Sequence, residues 1–162
     1  MQQTHRYQMG FTLVELVLVM LIVGITSFIV IPKFTTAVDS IKLDNARHKL
    51  ADDIRRARHY AIDHHDTTWV IVNIDENNYG IYVGNTNNNL ELITDPQTNS
   101  KHLINFDDAD FEGVYLTDVD FNNTNRFYFN YWGEPSNNGT VTLNQTTVIT
   151  VTENTGHVTI QD

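Results

Sequence analysis

The residues most able to do chemistry are seven histidines, two acidic clusters and one isolated glutamate. A helical zinc site needs ligands one turn apart on one face, commonly four residues apart. His59 and His64 stand five apart, while His64 and His65 are adjacent and point to different faces. The histidines therefore read as surface residues. Asp118-x-Asp120-x-Asn122-x-Thr124 has the alternating oxygens that open a calcium loop. Asn123 stands where that loop needs glycine, and Phe129 where it needs a bidentate glutamate. Strand end and turn is the simpler reading. Asp107-Asp108-x-Asp110-x-Glu112 reads as a solvated acidic loop. No Ser/His/Asp set, Gly-rich phosphate loop or cysteine is present. The chain therefore reads as a non-enzyme with no metal and no cofactor.

Glu15 is different. It is the one ionisable residue among the 21 from Phe11 to Ile31. A helix rises about 1.5 Å per residue, so this run is roughly 30 Å long, a bilayer's hydrocarbon thickness. A lone carboxylate near the end of such a run is a functional-site candidate, because its burial needs an opposite charge or hydrogen bonds. The polar residues 1–10 read as a processing segment. Arg6 and the amino terminus satisfy the positive-inside rule weakly.

Gly10-Phe11-Thr12-Leu13-Val14-Glu15 followed by an apolar helix resembles the N-terminus of type IV prepilins and pseudopilins. The resemblance implies a leader, 1–10, cut after Gly10 by a prepilin peptidase. It implies N-methylation of the new terminus at Phe11. Glu15 then becomes the fifth residue of the mature chain, and the resemblance implies that it pairs with the N-terminal amine of a neighbouring subunit. Pro32 stands where the family commonly has proline. Gly24 and Pro32 together mark a place where the helix loosens or bends.

These residues need an anchor and a support. Residues 11–32 read as the membrane and assembly helix, and 33–66 as its amphipathic continuation. Phe34, Val38, Ile41, Leu50, Ile54, Ala57 and Ala61 fall near one stripe, with a polar gap around Asn45. Opposite charges four apart (Asp44 with His48, Lys49 with Asp53, Asp52 with Arg56) read as a solvated face. From Thr67 the period becomes two. Strands are expected at 69–74, 79–83, 90–94, 102–106, 114–121, 126–132, 140–143, 147–152 and 157–160. Asparagine-rich stretches between them read as turns. Residues 67–162 thus form a β-rich head, and the whole is α+β and pilin-like: a long N-terminal helix packed on antiparallel sheet.

The charge is uneven. The chain carries −10, yet residues 33–66 hold seven Lys/Arg against six acids. Residues 67–162 hold two against thirteen. Such a head lacks the basic stripe that nucleic acid needs. The helix end around Ala57-Arg58-x-x-Ala61-Ile62, with Phe129-x-x-x-Gly133 and Thr155-Gly156-His157-Val158, resembles GspH/FimT-like minor pseudopilins. The tail also resembles minor pilins of mannose-sensitive-haemagglutinin-type pili. Some FimT-type members bind DNA through basic C-terminal residues, but Glu153–Asp162 holds no Lys or Arg.

The resemblance implies a structural subunit of a type II secretion pseudopilus or a type IV pilus. Its partners would be other pilin or pseudopilin subunits, the prepilin peptidase, the inner membrane and an inner-membrane assembly platform, with the head in the periplasm. The alternative is an adhesive or ligand-binding tip module.

Overall fold

A computed structural model describes residues 11–85, 89–95 and 99–161, with the side chains of 28–36 outside that description. The leader, with its cleavage residue Gly10, also lies outside it. The chain divides into two compact units, Met1–Val38 and Asp39–Asp162.

One helix, α1, runs Leu13–His64. Its start is set by Thr12, whose hydroxyl accepts a hydrogen bond from the Glu15 amide at 3.3 Å. The Leu16 amide closes the first turn on the Thr12 carbonyl. Threonine at the cap and glutamate three residues later have the spacing of a capping box. The helix stops where His65 turns left-handed at φ 53°. The Asp66 amide then bonds back to the Ala61 carbonyl at 3.2 Å. That six-to-one bond is a Schellman ending, with histidine where glycine is usual.

In the second unit the chain continues as nine antiparallel strands among the described residues. β1 (Thr68–Asn73) and β2 (Asn78–Val83) form a hairpin. β3 (Glu91–Leu92) and β4 (Leu103–Asn105) lie end to end on the other edge of β2. β6 (Arg126–Phe129) pairs with β1. A second sheet takes the order β5 (Leu116–Asp120), β7 (Gly139–Leu143), β8 (Thr147–Val151), β9 (Val158–Gln161). The alternation read from the sequence places every strand within a few residues. The main displacement is at 126–132, where β6 ends at Phe129 and Tyr131 and Trp132 fall on a turn.

Asparagine makes the turns possible. Among the described residues, six of the eight non-glycine positions with positive φ are Asn, at 77, 99, 122, 123, 144 and 154. Asn tolerates the left-handed region better than most residues because its side chain bonds nearby backbone. Asn77 does more than turn. Its amide nitrogen donates to Val114 O at 3.0 Å and Asp107 Oδ1 at 2.7 Å, and its Oδ1 accepts from Leu116 N at 2.9 Å. A turn in the first sheet is thereby tied to the first strand of the second.

The core of this unit is one buried cluster. Ala46, Leu50, Ile54, Ala57 and Ala61 supply the helix side, at spacings of four, four, three and four. Facing it, Phe121 stacks on Phe127 at 4.2 Å and Phe127 meets Phe129 edge to face. The buried stripe begins later than the periodicity suggests. Val38 and Ile41 are exposed, while Ala46 fills the expected polar gap. Phe34 lies outside the described side chains.

Candidate functional site

The N-terminal segment is built to be unsatisfied alone. Every described apolar side chain from Phe11 to Ile25 is at least about half exposed, reaching 81 % at Leu13. Glu15 lies in the first helical turn, where free amides and the helix dipole favour a negative charge. The sequence signal for this was the Thr12-x-x-Glu15 spacing, which the reading of Glu15 as an isolated carboxylate passed over.

Helix α1 runs through Gly24 and Pro32. A Cβ at Gly24 would meet nothing within 4 Å, so no close contact demands glycine there. The hydroxyls of Thr26 and Ser27 bond back to the Ile22 and Val23 carbonyls at 2.7–3.1 Å. Such bonds satisfy polar side chains inside an apolar run and slightly weaken the helix. Among the described residues, no helix is long and apolar enough to cross a membrane. The apolar run Phe11–Ile31 itself continues past Ser27, the last described side chain before the gap.

In the head, the three motif fragments read from the sequence converge on one knot. Arg58 donates through Nε to Gly133 O at 2.9 Å. Arg55 reaches Val158 O at 3.1 Å. Gly133 adopts φ +79°, and a Cβ there would stand 2.7 Å from Ile62 Cδ1. Gly156 adopts φ +60°, and a Cβ there would stand 3.0 Å from Phe129 Cε1 and 3.3 Å from Arg58 Cδ. The fragments are thus a structural clasp between the helix end and two loops.

A second cluster corrects two expectations. Lys49 and Asp53 do pair, at 2.8 Å, but Asp53 is only 3 % exposed. The helix face carrying it is not solvated. Asp53 also accepts from Tyr79 Oη at 2.7 Å and lies 3.0 Å from His102 Nε2. The His102 contact has ion-pair distance without hydrogen-bond direction. His102 is buried, so not every histidine is a surface residue. Burial pushes the Asp53 carboxyl up, but His102, Lys49 and Tyr79 outweigh it and hold it below its ordinary value. Burial and the adjacent carboxylate push the Tyr79 phenol well up. The cluster fastens α1 to β2 and to the segment entering β4. Asp52 likewise pairs with Arg55 rather than Arg56, which reaches across to Asp95.

The oxygen-rich stretches are occupied by turn bonds. Asp120 Oδ1 accepts from Asn123 N, and Thr124 Oγ1 lies 2.7 Å from Phe121 O. Glu112 pairs with Lys42 at 3.2 Å. Among the described residues, no group of three or more acids or histidines converges for a metal.

Residues 5–31 match the prokaryotic N-terminal methylation motif. Two solved structures of the minor pseudopilin EpsH, from the type 2 secretion system of Vibrio cholerae, share the architecture. One superposes with a TM-score of 0.59 at 9 % identity, covering 74 % of this chain and 95 % of that one. The other gives 0.55 at 12 % identity, covering 74 % and 93 %. The fold is pilin-like. The chain thus joins a methylation motif at its N-terminus to a fold shared with the EpsH minor pseudopilin. No curated protein matches the chain in sequence.

Proposed function

We propose that this chain is a minor pilin or pseudopilin, a structural subunit rather than a catalyst. It is made as a precursor anchored in the inner membrane with its head in the periplasm. A prepilin peptidase cuts after Gly10 and Phe11 becomes the methylated terminus. Glu15 then neutralises the new amine of a neighbouring subunit during assembly on an inner-membrane platform, into a type II secretion pseudopilus or a type IV pilus. Gly24 and Pro32 let the helix loosen as subunits pack. The observation that carries this reading is a methylation motif at residues 5–31 on a chain with a pilin-like fold.

Mass spectrometry of the chain co-expressed with a prepilin peptidase tests the first step. The expected product begins at methylated Phe11, and Gly10→Asp should leave the precursor uncut. Normal cleavage of that variant would sink the processing assignment. Glu15→Val should still be cut but should be depleted from sheared filaments. Undiminished recovery would remove the charge-pairing role while leaving processing intact.

A further inference from the structure

The turn after β6 holds an exposed aromatic pair. Tyr131 is 50 % and Trp132 69 % exposed, with ring centroids 5.0 Å apart and planes tilted by 43°. Exposed aromatics on a mobile loop would mean little, but this turn is fixed. Asn130 Oδ1 accepts from the amides of Trp132 and Glu134 at 2.9 and 3.0 Å. The Asn130 amide bonds to Glu134 O, and the Gly133 amide bonds to Asn130 O. Arg58 holds the Gly133 carbonyl from the helix. The ordering entropy that a partner would otherwise have to supply is therefore largely spent in folding.

The same molecule shows what such a pair accommodates. Trp69 and Tyr128 stand 4.7 Å apart at 51°, and the Arg126 guanidinium lies 5.8 Å from the Trp69 centroid. Among the described residues no guanidinium or ammonium is recorded over Trp132. Two residues further along the same turn is Glu134, an exposed carboxylate held by Asn130 Nδ2 at 2.9 Å. A tilted aromatic pair and a held carboxylate on one turn suit a cation, through the ring quadrupole and an ion pair together.

We propose that the Tyr131–Trp132 turn, with Glu134, is a docking site for an arginine or lysine side chain on a basic partner protein. Charge selects the partner. Residues 67–162 hold thirteen acids against two Lys/Arg. Lys42, Arg47, Lys49, Arg55 and Arg56 are each ion-paired within the chain. A second copy would bring −10 of its own. A different subunit with a basic surface fits better. That the cation arrives on a fellow subunit rests on the assembly reading. The binding itself is measured on the solubilised chain, so its failure would leave the cleavage and incorporation results standing.

The test is a titration of the full chain, in non-ionic detergent, with acetyl-Gly-Arg-Gly-Arg-Gly-amide, followed by the NMR signals of the two indole N–H groups. The Trp132 signal should shift saturably and the Trp69 signal should hold. Trp132→Ala should weaken binding about fivefold, read from backbone amides of residues 130–134. Glu134→Gln should weaken it less, and added salt should weaken it further. An unmoved Trp69 signal in each variant shows that the fold survives. Equal response to the matching Glu peptide would overturn the proposal. So would unchanged affinity in Trp132→Ala, or a response to a neutral oligosaccharide in place of the Arg peptide.

Discussion

Leu16 and Leu50 stand on one helix, yet Leu16 is 52 % exposed and Leu50 is fully buried. The N-terminal unit presents its apolar side chains outward along its described length. The second unit turns Leu50, Ile54, Ala57 and Ala61 into a closed core with both sheets. The hydrophobic free energy available is similar per unit area in both. In the head folding has already used it. In the N-terminal unit it is still available, and only a membrane or another chain can take it up. The unit that stabilises the molecule and the unit that would bind it to others are therefore separable by mutation.

The sharpest break in that contrast is at Asp53. Asp53→Ala leaves His102, Lys49 and Tyr79 around an empty position, and should cost about 3–5 kcal/mol in urea unfolding of the head. A change under about 1 kcal/mol would mean the cluster contributes little. Leu50→Ala should cost about 3 kcal/mol, because neighbouring atoms only partly refill the space. Gly133→Ala should cost about 2 kcal/mol, from positive φ and the approach of Ile62, with Arg58 losing its grip on the loop. A neutral outcome would show that the clasp can open freely.

Acid separates the ionic part of this fastening from the apolar part. The Asp53 carboxyl is held below its ordinary 3.8 in the folded chain. Its contribution is thus complete above that unfolded value and is lost as pH falls through the lower folded one. Asp53→Asn should flatten this acid limb. Identical acid profiles for the two proteins would assign it to other carboxylates. The smallest effect belongs to the first unit: Leu16→Ala should change head unfolding by less than about 0.5 kcal/mol, while reducing filament recovery. A large loss of head stability there would erase the contrast between the units.

The α+β order, the strands and the Leu50–Ala61 part of the helix stripe were legible because each depends on a local period. The clasp was legible as three fragments but not as one object, since spacing along the chain does not say that Arg58, Gly133 and Gly156 meet. Asp53 was misread for a related reason. A lysine four residues before an aspartate is what a solvated helix face looks like. What buries it, Tyr79 and His102, comes from remote strands and loops. The stretch 126–132 reads as one strand in the sequence, while the Asn130 bonds that curl the chain after Phe129 are side-chain geometry. At Glu15 the Thr12 cap holds the backbone amide and not the carboxylate.

Asn77 has a consequence in time as well as space. Its left-handed turn is set by contacts close in sequence, and hairpins of this kind close in about microseconds. In the second sheet β7, β8 and β9 are neighbours along the chain, but β5 reaches β7 across the intervening β6, a longer and slower closure. Because a single amide on this turn presents both a donor and an acceptor to Val114 and Leu116, the hairpin carries a template for where the second sheet must begin. The position of β5 is tied to a turn some forty residues upstream, and an error at that turn would be copied into the second sheet.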